Sequence, residues 1–253
     1  MSAYLADPAV WQESWDRQQE AFLPDREERF SALLGAVDAV TDGAPPRLLD
    51  LAGGTGTIAL RALARFPGAE VTVLDQDPVL LAIASASLRS QATIVDADLG
   101  DPRWSAGLPH REYDAVLTAT ALHWLPAERV AELYAEVREV LRAGGIFANV
   151  DHMPDEALPV FTKRLTDRAD TLRSARYAAG AATSWPDWWA RAAEDEVLGP
   201  LVERRRQIYP AVRHSAEWTP PAAWHIDALR MAGFHESGML WRGGADAAVI
   251  AVR

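Results

Sequence analysis

Through the middle of the chain, short apolar runs alternate with longer stretches in which apolar residues recur every third or fourth position. The runs are RLLDLA (47–52), EVTVLD (70–75), ATIVDA (92–97), YDAVLTAT (113–120) and GGIFANVD (144–151), each about the length of one strand. Between them, TIALRALARF (57–66), the segment opened by Asp77 and Pro78, and residues 127–142 carry helical spacing, and Pro67 and Gly68 end the first of these. Parallel strands need crossovers, so this alternation predicts an open parallel sheet with helices on its faces. Two more helices are expected ahead of the sheet, at 9–21 and 25–40. In the second, Asp25 and Glu28 have capping-box spacing, and Phe30, Leu33, Leu34 and Val37 form an apolar stripe.

Residues 152–221 break the rhythm: they are rich in Arg, Ala and Trp, are spaced for two or three helices, and hold no convincing strand. The pattern resumes with a helix at 222–234 and two runs, 235–242 and 246–253, that flank Gly243 and Gly244 as a hairpin. The expected organisation is a helical arm (1–45), an α/β core (46–151 and 222–253) whose mainly parallel seven-stranded sheet ends in an antiparallel hairpin, and an inserted helical lid (152–221).

Composition narrows the choice of function. A chain of 253 residues, at ~150 per domain, fits one large domain with an insertion. Lys and Arg number 25 against 36 Asp and Glu, and the net charge of -11 argues against binding to a nucleic-acid backbone or an anionic membrane. With 0 Cys there is no disulfide frame, Cys-zinc site, iron–sulfur cluster or Cys nucleophile. The N-terminal residues lack a signal-peptide pattern and no apolar run reaches membrane-spanning length, so a cytoplasmic protein is expected. Oligomeric state stays open, a homodimer included.

The chemistry concentrates at LLDLAGGTGTIAL, where Gly53, Gly54 and Gly56 lie between a strand and a helix. Missing side chains there let a ligand reach backbone N–H groups at a helix start. Gly54, Gly56 and Ala59 also fit the dinucleotide spacing, with Asp75 beyond them, so an NAD-dependent oxidoreductase is one reading. Asp50 discriminates: at the end of the first strand it would face a pyrophosphate with like charge. It suits a cationic, phosphate-free ligand such as S-adenosylmethionine (SAM), with Asp75 placed for ribose hydroxyls.

These residues resemble the class I SAM-dependent methyltransferases, a Rossmann-like family whose first motif is acid-x-Gly-x-Gly-x-Gly. The motif reads DLAGGTG at 50–56, with Ala52 in the place of the first glycine. The likeness continues through Asp75, Asp98-Leu99, ALHWL (121–125) and EVLRAGGIF (139–147), and covers 47–151 and 222–253. It implies SAM as cofactor, S-adenosylhomocysteine (SAH) as product, no metal, and a pocket formed by Asp50, Ala52, Gly53, Gly54, Gly56, Asp75, Gln76, Asp98, Leu99 and Thr118. The acid after the third strand contacts adenine in this family, which points to Asp98, with Asp96-Ala97 as the other register.

The loop after the fourth strand faces the transferred methyl in such proteins, making His123 a candidate base or a pocket-shaping residue; Asp151-His152, at the end of the fifth strand, offers a second acid/base pair. Trp185, Trp188, Trp189, Trp218 and Trp224, half of the 10 Trp, suggest an enclosed apolar acceptor pocket, or the lid's own core. ERRRQIY (203–209) reads as a solvated helix face or a site for an acidic acceptor, and Arg26 or Arg29 as surface charge or a partner of the cofactor carboxylate. The expected activity is methylation of a small-molecule acceptor at O or N, in primary or secondary metabolism. A catalytically silent SAM-binding module is the remaining alternative.

Overall fold

The computed structural model describes residues 5–23, 25–209 and 217–253; part of the expected lid, 210–216, lies outside them. The strands are β1 (Arg47–Leu51), β2 (Glu70–Asp75), β3 (Ala92–Asp96), β4 (Tyr113–Ala119), β5 (Leu141–His152), β6 (Glu236–Gly243) and β7 (Asp246–Val252). They form one sheet in the order β3-β2-β1-β4-β5-β7-β6, parallel from β3 to β5, with β7 antiparallel to both neighbours. Strand order reverses between β1 and β4, which opens a crevice at the carboxyl ends of the central strands.

The helices are α1 (Pro8–Phe22), α2 (Arg26–Thr41), α3 (Thr57–Arg65), α4 (Pro78–Leu88), α5 (Ala127–Val140), α6 (Pro159–Ala178), α7 (Trp185–Glu194), α8 (Gly199–Ile208) and α9 (Ala222–Met231). Strand residues alternate between two apolar layers. Leu48, Val71, Leu117 and Ala148 pack under α2, α3 and α4, whereas Leu49, Leu74, Val116 and Phe147 pack with α5 and α9. Both faces being covered explains why the central strands read as continuous apolar runs. The α2 helix, expected as part of an arm, belongs to this core through Phe30, Leu33, Leu34 and Val37.

Two local expectations fail for identifiable reasons. Asp25 takes a left-handed conformation (φ 67°) and its side chain caps nothing; its N–H donates instead to Glu20 Oε1 at 3.2 Å, so no capping box forms. The helix expected to reach residue 142 stops at Val140, because Leu141 already pairs with Tyr113. The ladder then shifts register before Ala115 meets Ile146, across Gly144 (φ +74°) and Gly145, where a Cβ would lie 2.9 Å from the Tyr113 carbonyl oxygen.

Candidate active site

Asp50 lies inside the glycine turn. Its Oδ2 accepts a hydrogen bond at 3.0 Å from the Ala59 N–H, one of the unsatisfied donors in the first turn of α3. Gly53 passes directly over it, since a Cβ there would stand 2.6 Å from the Asp50 Cγ. The Asp50 Oδ1 is buried without a hydrogen-bond partner, and burial, with the charge of Asp75 adding to it, pushes the carboxyl pKa up to about 7. Gly54 (φ +56°) and Gly56 (φ +77°) take conformations open to glycine. Ala52 adopts φ +54° without that freedom, a backbone strain of roughly 1–2 kcal/mol held at the mouth of the turn.

Asp75, at the end of β2, stitches that strand to the turn. Its Oδ2 accepts from the Gly54 N–H at 2.8 Å, and its Oδ1 from the Gln76 and Asp77 N–H groups at 2.8 and 2.9 Å. Burial, with the charge of Asp77 adding to it against these hydrogen bonds, raises its pKa to about 6. From the other side α1 closes on the turn: Gln12 Nε2 donates to Thr55 and Thr57 Oγ1 at 3.0 and 3.2 Å, and Thr57 Oγ1 donates to Asp16 at 2.9 Å. The only local sign of this contact is the i, i+4 spacing of Gln12 and Asp16, which sequence reading passed over. Arg26 and Arg29 are buried and paired, Arg26 with Asp16 and Arg29 with Asp246, and are not the surface charges expected.

Beyond β3, the exposed Asp98 accepts from the Gly100 N–H at 2.7 Å and so turns the chain, while Asp96 pairs with Arg204 at 3.3 Å. Leu99 is buried, with its carbonyl held by Arg129 Nε at 2.7 Å. Thr118 is fully buried within β4 and its hydroxyl has no hydrogen-bond partner.

After β4, Thr120 takes φ +51°, a strained value for a β-branched residue, and swings the chain into a short 3-10 turn at Leu122–Trp124. This places His123 Nδ1 2.7 Å from Asp151 Oδ1, with both side chains buried. The expected partnership of Asp151 with His152 is therefore rearranged: only the His152 backbone N–H reaches that carboxylate, at 2.8 Å. The His152 ring bonds Asp246 Oδ1 at 2.6 Å, and Asp246 Oδ2 accepts from Arg29 at 2.7 Å. Burial works against the His152 cation, yet the hydrogen bond and charge of Asp246 hold its pKa above the ordinary value. The two imidazoles lie 5.6 Å apart. Behind Asp151, the Tyr134 hydroxyl and His225 Nδ1 share a hydrogen bond of 2.6 Å, and burial lowers the His225 pKa to about 4, which keeps that ring neutral.

The tryptophans do not form one pocket. Trp188 and Trp189 pack with Trp11 and Trp15 against Val79, Leu80 and Ile83 of α4. Trp218 and Trp224 form a separate pair, 4.5 Å apart, beside His225. The basic run is a solvated helix face at Glu203, Arg204, Arg206 and Gln207, whereas Arg205 turns inward and is ion-paired with Asp77. A surface hollow of about 600 Å³ at the opposite edge of the sheet includes Arg47, Glu70, Asp114 and Arg142, charges that pair as Arg47–Glu70 and Arg142–Asp114.

Residues 48–145 match the family described as Methyltransferase domain. The chain is 31% identical over 208 residues to the trans-aconitate 2-methyltransferase of Methylobacterium radiotolerans, covering 82% of this chain and 66% of that one. It is 30% identical over 135 residues to the release factor glutamine methyltransferase of Gloeobacter violaceus, covering 53% of this chain and 46% of that one. The chain thus spans between about half and two thirds of the length of these curated relatives. Human N-acetylserotonin methyltransferase, solved in complex with SAM, shares the fold with a TM-score of 0.55 at 18% identity, over 97% of this chain and 58% of that one.

Proposed function

The chain belongs to the class I SAM-dependent methyltransferases, and from that premise we propose that it moves a methyl group from SAM to a hydroxyl of a small-molecule acceptor. The cofactor suits the residues present. A buried carboxylate oxygen without a partner, under a turn that a single Cβ would block, matches a cationic ligand free of phosphate and speaks against NAD. In this reading Asp50, Ala52, Gly53, Gly54 and Gly56 would hold the amino-acid end, Asp75 and Gln76 the ribose, and Asp98 and Leu99 the adenine, with the buried Thr118 completing the set. Bound there, SAM supplies a methyl group activated by its positive sulfur.

The observation that carries the reading is the His123–Asp151 pair at 2.7 Å. Asp151 accepts from Nδ1–H, fixes the tautomer, and leaves Nε2 free of a proton. As the new C–O bond forms and the C–S bond breaks, the acceptor's proton passes to Nε2, and the imidazolium is offset by the Asp151 carboxylate. An amine that is already neutral would need no such base, so the pair favours oxygen over nitrogen. The acidic surface favours a small metabolite, whether primary or secondary, over a nucleic acid. Among the described residues no helix is long and apolar enough to cross a membrane. The cysteine-free, acidic composition supports a cytoplasmic setting.

The test is His123→Ala, assayed with a panel of hydroxylated acceptors and labelled SAM. Turnover should fall ~10²–10⁴-fold with SAH affinity unchanged, and added imidazole should restore part of it. Full turnover in the variant would reduce His123 to shaping the pocket.

A further inference from the structure

The helix α8, expected to enclose the acceptor, lies over the other half of the crevice. Arg205 bonds Asp77 Oδ2, while Asp77 Oδ1 caps α4 through the Val79 and Leu80 N–H groups at 3.0 and 3.3 Å. Its guanidinium carbon lies over two rings, 3.9 Å from the Trp189 centroid and 4.9 Å from that of Tyr209. The adjacent Arg204 reaches Asp96, so the helix spans the carboxyl ends of both β2 and β3. Tyr209, which closes α8, stands beside the Arg205 guanidinium and lies within interaction range of the Gln76 side chain and of Asp75 and Asp77. Those charges and burial keep its phenol protonated, and therefore a hydrogen-bond donor.

On the reading that SAM binds at this sheet edge, we propose that Tyr209 is a cofactor-binding residue on the adenosine side, and that Arg205 positions it. The insertion thereby completes, from the opposite side, the adenosine pocket that Asp75, Gln76, Asp98 and Leu99 begin. An aromatic ring with a hydroxyl donor, set beside a strand-end carboxylate, matches a ribose and the flat purine attached to it. One ion pair and two ring contacts hold the Arg205 side chain, and Lys, with a compact ammonium in place of the broad guanidinium, could not reproduce all three.

Calorimetry on the full chain with SAH and with 5′-methylthioadenosine, which lacks the amino-acid end, tests this. Tyr209→Ala should weaken both ligands by the same factor, about tenfold, and Tyr209→Phe by a smaller one, because only the hydroxyl is lost. Arg205→Ala should weaken both as well, Arg205→Lys should restore little, and combining Arg205→Ala with Tyr209→Ala should cost no more than Tyr209→Ala alone. Affinity within twofold of wild type in Tyr209→Ala, or weakening confined to SAH, overturns the proposal while leaving the methyltransferase reading intact. If the wild-type chain binds neither ligand, the failure is of that reading and takes this proposal with it.

Discussion

Replacing Asp50 by Asn exposes the cost of holding a carboxylate for a ligand. In the folded chain its pKa is about 7, against an ordinary value of 3.8, chiefly because it is buried with one oxygen unpaired. The native state therefore binds this proton more tightly than the unfolded chain does. Its contribution to stability is complete below pH 3.8 and is lost as pH rises to about 7. At ~1.4 kcal/mol per pKa unit, the gap amounts to ~4 kcal/mol, and relaxation around the charge reduces this to roughly 2–4 kcal/mol. Asn has the same shape, can still accept from the Ala59 N–H, and does not titrate. The stability of Asp50→Asn relative to wild type, from urea unfolding, should therefore improve by roughly 2–4 kcal/mol between about pH 4 and pH 8. The other titrating groups cancel in the comparison, Asp75 to the extent that its coupling to Asp50 is small. In calorimetry the same variant should bind SAH at least tenfold more weakly, having lost a charged partner for the ammonium group. A stability difference that is flat with pH would show that the carboxylate is not held unsatisfied, and would refute the reasoning.

Gly53→Ala places a methyl group on the Asp50 carboxylate, 2.6 Å from its Cγ, and should cost roughly 1–3 kcal/mol of stability together with most of the SAH affinity, read by thermal unfolding with and without ligand. Asp246→Asn removes the charge and one of the two carboxylate oxygens that His152 and Arg29 share, leaving Arg29, only 5% exposed, without its anionic partner; it should destabilise the chain by roughly 3–5 kcal/mol in urea unfolding while leaving the His123–Asp151 pair in place.

How much of this could be read from the sequence depends on how local each feature is. The strands, the glycine turn and the hairpin are local patterns, and each forms within a few residues of the expected place. Asp50 and Asp75 were legible because strand ends and glycine spacing mark the sheet edge by themselves. The pairing of His123 with Asp151 was not, because it depends on the parallel register that sets Ala119 opposite Val150 and so brings the ends of β4 and β5 together. Asp246 could not be linked to His152 without knowing that β7 returns antiparallel beside β5. Of the two readings of the tryptophans, core packing holds for Trp188 and Trp189, while a single shared pocket does not form, because composition counts rings and does not divide them between α1, α7 and the return toward α9. For Asp25, capping spacing was present, but the left-handed turn between α1 and α2 outweighed it.

The most direct measurement is titration calorimetry of the purified chain with SAM, SAH and NAD in parallel. The account predicts binding of one SAM or SAH per chain and no heat from NAD. Binding of NAD, with neither SAM nor SAH taken up, would contradict it.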